Sequence, residues 1–246
     1  MKKFIYRDIE VNFRENTSDE DVISHSFDND IFLTSIPYFK LNKEHIIVDI
    51  GAHIGAFSLL FVAKRKLSKA YAVEPAEETY SVLEQNILDN SLGDTIIPCK
   101  IALNDRSGKS ILYHDLESGN WGHSISNKLS DSFEEVHTES PDHFFESRKI
   151  ERCDLIKFNC EGAEFEIIES MSKKTVKKIK TWIVLYHEDI NRNGDHSKII
   201  NKLKKFGFIV NHIRVDGKRG WITATTNYFQ YYRYSIITHI KALFNF

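Results

Sequence analysis

The chain has 246 residues, enough for one well-buried domain with a small cap and short of two full domains. Its 33 basic and 35 acidic residues leave a formal charge of −2, which argues against a dedicated nucleic-acid binder, since neutralising phosphates takes a basic surface. With 41% hydrophobic residues, 4 prolines and no low-complexity tract, the composition predicts a globular fold and not a disordered one.

No apolar run near the N-terminus has the length of a signal peptide, and none approaches a membrane span. Cys99, Cys153 and Cys160 are odd in number and lack metal-ligand spacing, which predicts a reduced, cytoplasmic protein. Lys173, Lys174, Lys177, Lys178 and Lys180 read as a solvated helix face, with a docking patch for an anion as the alternative.

In chain order, residues 1–45 read as a cap. Phe4, Tyr6, Ile9, Val11 and Phe13 suit a hairpin, and residues 28–42 form an aromatic-rich connector. Residues 46–227 then alternate strands and helices, the pattern of a mostly parallel sheet. Strands are predicted at 46–50, 70–73, 96–103, 110–113, 154–158 and 182–186, with a closing hairpin from 208–215 and 221–226. The stretch 54–63 is apolar all round and predicts a buried helix; a second helix sets Tyr80, Leu83 and Ile87 on one face. Residues 115–131 form an aperiodic loop, and such loops are often functional. Pro141 opens a short helix, and Asp195 caps another that Gly207 ends. The expected fold is a doubly wound, seven-stranded, Rossmann-like α/β sheet. The tail, residues 228–246, carries an aromatic and aliphatic helical face suited to a homo-oligomer contact or a peripheral surface contact.

In such a sheet the ligand lies beyond the carboxyl ends of the strands. Asp49, Glu74, Asn104, Asn159 and His187 all fall at or just past such ends. Asp49-Ile50-Gly51-Ala52-His53-Ile54-Gly55 is a strand-to-helix turn, and Glu74 ends the next strand, where a carboxylate can accept ribose hydroxyls. An NAD-binding Rossmann enzyme shares this layout. The Gly-x-x-x-Gly spacing and the charge of Asp49, where a dinucleotide would put phosphate, favour S-adenosylmethionine, whose ammonium a carboxylate attracts.

These motifs resemble those of the FkbM family of methyltransferases over residues 46–189. The residues carrying the resemblance are Val48 to Gly55, Ala72-Val73-Glu74-Pro75, Ala102-Leu103-Asn104-Asp105, and Asp154-Leu155-Ile156-Lys157-Phe158-Asn159-Cys160-Glu161-Gly162-Ala163-Glu164. Asn159 stands where the family usually has aspartate, and an amide cannot act as a base. The resemblance implies a cofactor site of Asp49, Gly51, Ala52, His53, Gly55, Glu74, Pro75, Ala102, Asn104 and Asn159. It also implies methylation of a hydroxyl on a sugar, glycan or related small molecule.

Such a hydroxyl needs a base near neutral pH. His187, at the end of its strand, is the first candidate, Glu161 the second, and His123, in the long loop beside Trp121, the third. No metal is predicted, although Asn159, Glu161 and Asp189 could be weighed as oxygen ligands for Mg²⁺. The loss of the family aspartate leaves a non-catalytic cofactor- or glycan-binding module as the alternative.

Overall fold

A computed structural model describes residues 1–28, 43–64, 68–114, 123–125, 131–191 and 193–227. The predicted connector, the loop around Trp121 and the C-terminal tail lie largely or wholly outside these residues.

The chain opens with an antiparallel hairpin, β1 (Lys2–Tyr6) and β2 (Ile9–Phe13), then a short helix α1 (Asp19–Ile23) that runs into a π-helical turn, Ser24–Asp28. The repeating units follow: β3 (Ile46–Ile50), α2 (Ala56–Lys64), β4 (Lys69–Val73), α3 (Glu77–Asp89) and β5 (Ile96–Cys99). After them come β6 (Ala102–Leu103), β7 (Gly108–Tyr113), β8 (Phe133–Glu139), α4 (Pro141–Ser147) and β9 (Leu155–Phe158). The last elements are α5 (Glu164–Ser170), α6 (Lys173–Lys178), β10 (Thr181–His187), α7 (His196–Lys205), β11 (Ile209–Arg214) and β12 (Arg219–Thr225).

Seven strands form the main sheet, in the order β11-β12-β10-β9-β3-β4-β5. The run from β10 to β5 is parallel, whereas β12 is antiparallel to both neighbours. The strands between are apolar almost without break because both faces are covered. Ile47, Leu155 and Ile183 point to the side packed by α2, α3 and the hairpin. Val48, Ile156, Trp182 and Val184 point to the side packed by α4, α5 and α7. The exposed Lys173, Lys174, Lys177 and Lys180 fit the predicted solvated face.

One expectation needs correction. The predicted strand 96–103 is two strands: a tight turn, with Ile101 N donating to Cys99 O at 3.0 Å, ends β5 and sends β6 into a separate sheet of order β6-β8-β7. That sheet includes β8, whose residues alternate buried and exposed without a strong apolar run. The closing hairpin is present as expected, an antiparallel pair at one edge of the main sheet. Its second strand inserts between β10 and β11.

The N-terminal hairpin is tied to α3, and through it to the turn after β3, by buried amides. Asn12 N donates to Asn86 Oδ1 at 2.7 Å, and Asn86 Nδ2 donates to Asn12 O at 3.1 Å and to Ile54 O at 2.9 Å. The rings of Phe4 and Tyr6 pack on Phe27 in the π turn, at 5.3 and 5.2 Å. The N-terminal segment is thus drawn to the carboxyl edge of the sheet.

Candidate active site

The cleft at that edge starts from the turn after β3. Gly51 has φ +72°, and an added Cβ would lie 1.8 Å from the Asn159 carbonyl oxygen, so only glycine lets β3 leave the sheet against the end of β9. Gly51 N and Ala52 N both donate to Val73 O, at 3.0 and 2.9 Å, and His53 N donates to Glu74 Oε2 at 3.0 Å. These amides are therefore committed within the protein. A dinucleotide would need them for its pyrophosphate.

Beneath the turn lies a buried ion pair. Lys157 Nζ is 2.9 Å from Asp49 Oδ1 and donates to Gly51 O at 2.8 Å, and Ser58 Oγ donates to Asp49 Oδ2 at 2.8 Å. The two residues are register partners on adjacent parallel strands. Asp49 is fully buried and does not line the cleft. Its expected role, attracting an ammonium or repelling phosphate, is therefore corrected: Lys157 neutralises it. The committed amides replace that charge as the argument against a dinucleotide.

Glu74 does line the cleft. Burial pushes its carboxyl up to about 7, against the pull of the Ala76 and His53 amides that donate to it. Ala52, His53, Pro75, Ala102 and Asn159 also line the cleft, and Ile101, Leu103, Leu112 and Ile125 make an apolar wall beside them. Asn159 Oδ1 is buried with no hydrogen-bond partner among the described residues. Two other expected cofactor residues stand elsewhere. Gly55 serves packing, where a Cβ would lie 2.5 Å from Leu83 Cδ1; Asn104 Oδ1 accepts from Asp105 N at 2.8 Å in its own turn.

On the acceptor side, Glu161 sits in a left-handed conformation, φ +49°, just before Gly162 at φ +94°. This bend ahead of α5 turns it to the cleft wall. Burial raises its pKa, with the His187 cation pulling the other way. His187 lies behind it, with Nε2 3.5 Å from Glu161 Oε2 and Nδ1 3.3 Å from Glu164 Oε1. Burial alone would favour a neutral ring, but the two carboxylates outweigh it and lift the pKa to about 9. His187 does not line the cleft. The first expected candidate is thus a buried imidazolium behind Glu161, and the second is the one on the cleft wall.

His123 lines the cleft, and its ring packs edge-on against His114 at 4.8 Å. Ser124 pins this part of the loop, pairing through its backbone with Tyr113 and donating from Oγ to Glu161 O at 3.0 Å. Asp189 is drawn away by Arg219, at 2.6 Å, so Asn159, Glu161 and Asp189 do not assemble a metal set. Among the described residues, the grouping with metal-ligand spacing is Glu188, Asp195 and His196 at the start of α7, outside the cleft lining.

Sequence reasoning missed two contributors. Lys157 was legible as a charge inside the buried run Leu-Ile-Lys-Phe, where it needs a partner. The cap residues Ser18, Val22, His25 and Ser26 also line the cleft, and no motif marked them.

Comparison with known proteins places this arrangement. The hexuronic acid methyltransferase of Haloferax volcanii is 25% identical over 67% of this chain and 65% of its own length, so the chain spans just under two thirds of that relative. Methyltransferase 1 of Beauveria bassiana is 28% identical over 68% of this chain and 73% of its own. The precorrin-6y C5,15-methyltransferase structure from Geobacter metallireducens shares the fold, with a TM-score of 0.53 at 12% identity over 91% of this chain and 100% of that one. The sheet is accordingly that of a class I methyltransferase. The profile of the Methyltransferase FkbM domain matches residues 49–210, from the aspartate of the glycine turn into β11, and the chain belongs to the FkbM methyltransferase family.

Proposed function

We propose that this chain is an S-adenosylmethionine-dependent O-methyltransferase acting on a hydroxyl of a sugar or sugar acid. The observation that carries the reading is Glu74, a buried carboxylate lining the cleft beside a turn whose amides are already used. Such a site suits a ribose without a pyrophosphate. Glu74 would hold the ribose hydroxyls, the wall of Ile101, Leu103 and Leu112 the adenine, and Asn159 Oδ1 the ammonium. Bound there, the cofactor would supply an electrophilic methyl group and leave as S-adenosylhomocysteine. The sugar class is drawn from the Haloferax relative, whose name specifies a hexuronic acid.

The chain's own task is to align the acceptor and take its proton. Alignment can contribute about 7–11 kcal/mol. Glu161 is the base: it faces the cleft, and its raised pKa makes it a stronger proton acceptor than an ordinary carboxylate. As the hydroxyl oxygen forms its bond to carbon, the proton passes to the Glu161 carboxylate. His187, held between Glu161 and Glu164, fixes the orientation of that carboxylate.

Turnover with labelled S-adenosylmethionine and a panel of hexuronic acids and glycosides tests the activity. Glu161→Gln keeps the shape and should lower turnover at least about a hundredfold, leaving S-adenosylhomocysteine affinity within a few-fold. Full activity in Glu161→Gln would remove the base. Wild type that binds no S-adenosylhomocysteine at millimolar concentration would remove the cofactor reading, and binding without turnover on any acceptor would favour the non-catalytic module.

A further inference from the structure

The N-terminal segment lies outside the part of the chain that the family profile matches, yet four of its residues line the cleft. It is firmly attached there. Arg14 clamps the buried Asp19, with Nε to Oδ2 at 2.9 Å and Nη2 to Oδ1 at 2.8 Å, and Arg14 also reaches Thr79 Oγ1 at 3.2 Å. Asp19 Oδ1 lies 3.6 Å from His53 Nδ1, and Ser18 Oγ lies 3.3 Å from His53 Nε2. Burial holds the His53 ring neutral, with its pKa down at about 4. The cap therefore grips the residue that follows the glycine turn.

The π-helical turn Ser24–Asp28 comes next. Such turns carry one extra residue per turn and often occur at functional sites. Here the turn sets Ser26 on the cleft wall, 1% exposed, with an Oγ that has no hydrogen-bond partner among the described residues. A buried hydroxyl without a partner is uncommon and points to a missing one. Asn159 Oδ1 is a second buried orphan in the same cleft, and it can only accept. An acceptor for an ammonium and a hydroxyl able to donate to a carboxylate together match an α-amino acid zwitterion. Lys157, whose ammonium is held by Asp49 and Gly51 O, leaves that carboxylate to other donors.

We propose that Ser26 donates its hydroxyl to the carboxylate of the cofactor's amino-acid end, which makes the N-terminal cap part of the cofactor site. The inference rests on the cofactor reading above and adds a residue from outside the family region. Glu74 takes the ribose; Asn159 and the cap take the other end.

Calorimetric titration with two ligands tests it: S-adenosylhomocysteine, which has the amino-acid end, and 5′-methylthioadenosine, which lacks it. Ser26→Ala should weaken the first about tenfold and leave the second within about twofold. Ser26→Cys, of similar size and a weak donor, should show the same selective loss, and the melting temperatures of both variants should match wild type. Equal affinity of wild type and both variants for S-adenosylhomocysteine would overturn the proposal. So would an equal loss for both ligands, which would mean that the cap had merely been disturbed. Wild type that binds neither ligand would refute the cofactor reading itself, and this proposal with it.

Discussion

Replacing Lys157 by methionine tests whether the pair beneath the glycine turn is what holds it. Methionine keeps much of the side-chain length and its packing near Phe57, whose ring centre lies 5.9 Å from Lys157 Nζ. It leaves Asp49 buried with the Ser58 hydroxyl, at 2.8 Å, in place of a cation. Removing one partner of a buried pair costs about 3–5 kcal/mol. The Ser58 hydrogen bond remains, so the low end applies, about 3 kcal/mol. For a domain of this size that corresponds to a melting point lower by about 6–12 °C. Urea unfolding followed by circular dichroism would measure it. The double variant Asp49→Asn with Lys157→Met removes both charges and should recover most of the loss. A Lys157→Met protein within about 1 kcal/mol of wild type, or a double variant no more stable than the single one, would refute the reasoning.

The Glu74 carboxyl, raised by burial to about 7, must be ionised to accept two hydroxyls well. S-adenosylhomocysteine should therefore bind more tightly as pH rises through 7 and level off above it. Glu74→Gln should remove that dependence and cost about ten- to a hundredfold in affinity; a flat profile in wild type would contradict the assignment. His187 is raised from an unfolded value of 6.5 to about 9, so its contribution to stability is fully present below pH 6.5 and is lost as pH rises through 9. At about 1.36 kcal/mol per unit this is on the order of 3 kcal/mol. Urea unfolding at pH 6 and pH 9.5 should show that loss in wild type and not in His187→Gln, and equal losses would show that the ring is not held as a cation.

The sequence by itself determined the architecture, because the signals for it are local. Apolar runs such as 46–50 and 155–158 mark strands covered on both faces, and Gly51 marks a turn that tolerates no Cβ. Glu74 was legible as well, since a carboxylate closing a buried strand has few structural uses. What the sequence left undecided depended on which distant segments became neighbours. Asp49 read as a free carboxylate until β9 paired with β3 and set Lys157 across from it. The closing hairpin was legible as a pair, but its docking through β12 beside β10 was not. His187 and Glu161, 26 positions apart, read as first and second candidates for the base. The order proposed above rests on burial: the fold encloses His187 between two carboxylates, where charge–charge attraction exceeds the cost of desolvation, and leaves Glu161 on the cleft wall. Ser26 had no motif at all, because a serine becomes notable only when tertiary packing buries its hydroxyl beside a cleft with no partner among the described residues.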